Sequence, residues 1–127
     1  MYKFRMNIGD KSGDGHGRYK EFTISSNKPI EVVREAHRNM RSKLGFSIED
    51  FCFEYDDNVI DKNTTNAIMD LGFEFEEIYD DTAYMYPKEM ARLWAFLLQK
   101  TNSDLELKMV DDDIPTLDCC VGYGLFD

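Results

Sequence analysis

Cysteine is scarce and poorly placed for cross-linking: the chain has three, Cys52, Cys119 and Cys120, and two of them are adjacent. An odd number with an adjacent pair suits no disulfide framework, so a reducing compartment and a non-secreted, cytoplasmic protein are expected. Long apolar runs are also missing. The longest, Met90 to Leu98, is interrupted by Arg92 and is far shorter than the roughly 20 residues needed to cross a bilayer. The opening Met1 to Met6 alternates charged and apolar residues and lacks the apolar run of a signal peptide. With only two histidines, no Cys or Ser is set against a base for nucleophilic catalysis. A structural zinc site wants four Cys/His ligands at characteristic spacing, and His16, His37 and the three cysteines show none. No catalytic residue and no cofactor is assigned. Repeats, low-complexity tracts and a dividing linker are absent too, so one domain over 1–127 is expected.

What is present is enough to build a core. In 127 residues, 43% are hydrophobic and 13% aromatic, with nine Phe and seven Tyr. A chain of this length can bury about two-thirds of the surface its unfolded form exposes, which offsets the entropy of ordering and argues against disorder. The formal charge of −10 is unevenly divided: residues 1–45 hold ten Lys/Arg against five Asp/Glu, whereas residues 46–127 hold five against twenty. Net charge of this sign disfavours direct contact with nucleic acid or anionic membrane and favours a protein partner with a basic surface. Plain solubility would also account for it.

The pattern along the chain is α+β. Tyr2, Phe4, Met6 and Ile8 alternate with polar residues as a half-buried strand. Tyr19 to Ile24 places Phe22 and Ile24 on one face, so these two runs pair most simply as a hairpin around the loop Gly9 to Gly17. A helix follows, with Ser26 or Asn27 as cap, Pro29 in its first turn and Gly45 beyond its last. Its core stripe is Ile30, Val33, Ala36 or His37, Met40 and Leu44, which makes His37 a partly buried histidine with its polar groups satisfied. Phe51, Phe53 and Tyr55 alternate as a third strand, and a short fourth is expected at Val59-Ile60. Asn63 to Asn66 caps a helical turn ended by Gly72, and Phe73, Phe75 and Ile78 continue in extended form. Pro87 opens a second helix running to about Lys100, with Met90, Leu93, Trp94, Leu97 and Leu98 on its apolar face. Leu105, Leu107 and Met109 form a late strand before Asp111 to Asp113 and Pro115.

The order hairpin, helix, strand, short strand, helical turn, strand over residues 1–78 resembles the β-grasp, or ubiquitin-like, fold. Phe51 to Ile60 followed by Ala67 to Phe73 looks like its third and fourth strands and the turn beyond. The resemblance implies a β-grasp-like mixed sheet, with residues 79–127 as a helix-and-strand extension packed on it, and a scaffold used for protein recognition. Family members that are conjugated to proteins end in Gly-Gly, whereas this chain ends Gly122-Tyr123-Gly124-Leu125-Phe126-Asp127. Recognition rather than conjugation is therefore the expectation.

The sharpest local motif is Asp10 to Glu21, which nearly matches a calcium-binding loop with oxygen ligands from Asp10, Ser12, Asp14, the His16 carbonyl and Glu21. Its flanks read as strands rather than helices, and its glycines suit a hairpin tip equally well. Arg34, Arg38 and Arg41 share one helix face. They could meet an acidic partner or phosphates, or could pair with carboxylates of the acidic half. Asp111, Asp112 and Asp113 are further candidates for partner binding. So are Tyr123 and Phe126, which with Leu125 could form either a docking peptide or a last strand over the core. The expected function is a non-catalytic protein-interaction module that uses a sheet edge or the acidic half. Two alternatives are an acidic inhibitor imitating nucleic acid toward a basic enzyme and a calcium-binding protein acting through residues 10–21.

Overall fold

A computed structural model describes residues 2–9, 19–51 and 59–110. Strands β1 (Tyr2–Gly9) and β2 (Tyr19–Ser26) form an antiparallel hairpin in which Phe4 faces Ile24 and Met6 faces Phe22. The alternation then does its work: Phe4, Met6 and Ile24 are buried, while Lys3 lies on the exposed side. Helix α1 (Ile30–Arg38) and the short α2 (Met40–Leu44) come next, then a 3-10 helix (Ile48–Phe51) and α3 (Lys62–Asp70). Strands β3 (Glu77–Ile78) and β4 (Ala83–Tyr84) make a second hairpin, followed by α4 (Pro87–Thr101) and β5 (Leu107–Val110).

The fold is mixed α+β. Its sheets run in the orders β1-β2-β5 and β3-β4, and every described pairing is antiparallel, with β2 central in the larger sheet. The parallel pair that a mixed sheet needs is not found among the described residues. Helix α4 packs on β1 and β2. Its Met90, Leu93, Trp94 and Leu98 are fully buried in one cluster with Phe4, Met6, Val33 and Met40, and each such side chain contributes about 1.5–3 kcal/mol by leaving water. No helix among the described residues is long and apolar enough to cross a membrane.

Several local expectations need correction. The first helix is two segments meeting at Asn39, where Ser42 Oγ and the Lys43 N–H both bond to the Asn39 carbonyl. Neither Ser26 nor Asn27 caps it; Pro29 holds the cap position without a side-chain bond. Ser26 Oγ bonds instead to both backbone groups of Lys28, and Asn27 reaches across to Asp104 and Glu106. Phe51 closes a 3-10 helix rather than opening a strand, and the rest of that expected strand lies outside the described residues. Val59 and Ile60 are not a strand; the Ile60 amide bonds to the Asp81 carbonyl at 2.7 Å. Asn63 to Asn66 lie inside α3, whose cap position is Asp61. Phe73 to Phe75 have no regular structure, and strand begins only at Glu77.

Gly45 ends α2 with φ of 84°, and a Cβ there would meet nothing within 4 Å. Its requirement is therefore conformational alone. Gly45→Ala is expected to lower stability by about 1 kcal/mol in urea unfolding, and Gly45→Asn by less, because Asn enters the left-handed region more readily.

Candidate interaction surface

Two arginines of the stripe, Arg38 and Arg41, form internal pairs. Arg41 makes a two-pronged contact with Asp50, at 2.8 and 3.1 Å, and Asp50 also accepts the Ser47 N–H. Arg38 donates to Glu35 at 3.1 Å, and Arg34 is half-buried. The bonds from Arg38 and then Asn39 hold the Glu35 carboxyl below its ordinary value. His37 is buried, 5% exposed, with Nδ1 accepting the Trp94 indole N–H at 3.2 Å, in keeping with the satisfied histidine read from the sequence. Glu21 of the calcium-like motif sits in β2, 3.5 Å from Arg5. Asp10, Ser12, Asp14 and His16 lie outside the described residues, as do Asp111, Asp112, Asp113, Tyr123 and Phe126. Among the described residues no three His, Cys, Asp or Glu side chains gather as a metal site.

A shallow depression of about 450 Å³ lies against α1, lined by Glu31, Val32, Glu35, Ala36, Arg38, Asn39 and Asn102. Its one arginine is taken up by Glu35 on the same helix. The β3–β4 hairpin has a different character. Residues 63–87 carry six Asp/Glu and no Lys or Arg. Glu21, Glu35, Asp50, Glu89 and Asp104 each pair with a cation, but among the described residues no ion pair engages Asp70, Glu74, Glu77, Asp80 or Asp81, and all five are exposed. Carboxylates grouped without a cation repel one another and raise the local negative potential.

Apolar groups are exposed beside them. Ile78 and Tyr79 are 44% and 54% exposed, and Tyr86 and Leu71 are similarly open. The hairpin is held firmly all the same. Tyr79 N–H donates to the Thr82 carbonyl at 2.7 Å and Glu76 N–H to the Tyr84 carbonyl at 2.8 Å, while the Ile60 amide fastens the turn to the body of the protein. The register puts Glu77 opposite Tyr84, hence on one face with Tyr79 two residues on. Tyr79 Oη donates to Glu77 Oε2 at 2.7 Å, and the Tyr79 ring meets Tyr84 edge-on at 6.0 Å.

The bond to Glu77, and then the repulsion between a phenolate and that carboxylate, push the Tyr79 hydroxyl above its ordinary 10.0. A folded value raised above the unfolded one gives stability that is fully present below the unfolded value and lost as pH rises through the folded one. Titration of carbon-13-labelled tyrosine followed by NMR should show Tyr79 ionising above the ordinary value, and Glu77→Ala should bring it back down.

The acidic half is legible in the sequence, but this hairpin is not. Asp80-Asp81 between Glu77-Ile78 and Ala83-Tyr84 was the available signal, since Asp favours turns. Comparison with family models, curated proteins and solved structures gives no match to this chain.

Proposed function

We propose that this protein is a non-catalytic interaction module acting in the cytoplasm, and that its acidic surface receives a protein with a basic face. The observation that carries the reading is the split among its carboxylates. Glu35 and Asp50, on or beside the arginine-bearing helices, are held by arginine, whereas Glu77, Asp80 and Asp81 of the β3–β4 hairpin are exposed, engaged in no ion pair among the described residues, and set beside exposed Tyr79 and Tyr86. Aromatic residues with a charged rim are the usual make-up of a protein-binding surface. The hairpin followed by a helix, β1 to α1, is the part of the β-grasp pattern that the described residues share, and it supports a recognition scaffold by analogy only.

The test is carbodiimide cross-linking of the protein in extract of its native host, with partners identified by mass spectrometry. The expected result is a basic protein joined through carboxylates of residues 70–81, with a yield of cross-links that falls when ionic strength is raised before coupling. Displacement of that protein by DNA or RNA would favour the nucleic-acid-mimic reading instead. A co-purifying small molecule that the protein turns over would overturn the proposal.

A further inference from the structure

We infer that the β3–β4 hairpin is the docking element of this surface, and that its occupant is a partner segment presenting arginine. The inference rests on the acidic-interface reading and names the place and the chemistry. Tyr79 is 54% exposed, and the orientation of its ring is set by the hydroxyl bond to Glu77 and the edge contact with Tyr84. Glu77 lies on the ring's own face of the hairpin, and Asp80 and Asp81 form the adjoining turn. None of these three carboxylates is engaged in an ion pair among the described residues.

A planar guanidinium can stack on an aromatic ring and present its N–H fork to carboxylates at the same time. A lysine ammonium supplies only a point charge. The backbone bonds that fix the turn mean that little conformational freedom is lost on docking. Charge complementarity selects this occupant, because residues 63–87 supply no cation of their own.

The experiment uses a fluorescein-labelled peptide of alternating arginine and glycine, a lysine-glycine counterpart, and anisotropy at low salt with the full chain. The arginine peptide should bind more tightly than the lysine one. The combined Glu77→Gln, Asp80→Asn and Asp81→Asn variant should weaken it about tenfold, given exposed pairs that each contribute a fraction of that. Tyr79→Ser should weaken it about two- to fivefold, the range of an exposed cation–π contact. All four positions are solvent-facing, and unchanged circular dichroism will show that the fold is kept. Equal binding of the arginine peptide by the native and triple-variant proteins would remove the hairpin assignment while leaving an acidic interface elsewhere on the chain. Equal affinity for the two peptides would remove the arginine assignment. Failure of both peptides to bind would remove the hairpin and the acidic-interface reading together.

Discussion

Trp94→Ala should lower the unfolding free energy by about 3–5 kcal/mol, the range for deleting a large buried aromatic side chain whose cavity cannot fully collapse. Trp94 is fully buried at the centre of α4's inner face, among side chains from both the sheet and the helices, so no neighbour can swing in to refill the space. Trp94→Phe keeps much of that volume but removes the donor to His37 Nδ1. It should cost about 1–3 kcal/mol, the range for taking one partner from a buried polar group. Because Nδ1 accepts, the neutral ring's proton is assigned to Nε2 from this geometry. Trp94 is the sole tryptophan, so both variants are best followed by far-ultraviolet circular dichroism in urea. Equal losses would mean that the hydrogen bond, rather than the packing, dominates the site.

Arg41→Ala is expected to cost more than Asp50→Ala, although both break the contact between them. The Asp50 side chain is 4% exposed and that of Arg41 57%. Removing the arginine leaves a buried carboxylate holding only the Ser47 N–H, and should cost about 2–4 kcal/mol, slightly under the range for a fully buried pair. Removing the carboxylate leaves an arginine that is already 57% exposed to water. What is then lost is mainly the acceptor for Ser47 N–H at the start of the 3-10 helix, about 1–2 kcal/mol. The reverse ranking in paired denaturation curves would show that Asp50 is not the buried member that governs the contact.

Features decided by local periodicity could be read from the sequence, and features decided by a distant partner could not. The apolar spacing Met90, Leu93, Trp94, Leu97 and Leu98 predicts α4, and each of those side chains is buried. Strict alternation likewise predicts β1, and looser alternation predicts β2 and β5. By contrast, Phe51 belongs to the alternation Phe51, Phe53, Tyr55, but it ends a 3-10 helix because the Asp50 carboxylate ties down the Ser47 amide three residues back. The expected strand at Val59-Ile60 fails because its amide is taken by Asp81, and the expected caps at Ser26 and Asn27 fail because other backbone groups claim them. The charge of the candidate surface was legible as an acidic half. Its hairpin was not, since two-residue strands are too short to show any period.

The central position of β2 also governs when this protein can be completed during synthesis. One side of β2 pairs with β1 almost at once in chain order, but the other side waits for β5, with Thr23 opposite Val110 and Asn27 locked to Glu106 across 79 positions. Until the ribosome has released residues near 110, the middle strand offers an unsatisfied ladder, a template for pairing with a neighbouring nascent chain. Distant closure of this kind slows folding relative to a sheet built from consecutive hairpins. Premature termination just before Leu107 would therefore release a sticky fragment, not a smaller working copy.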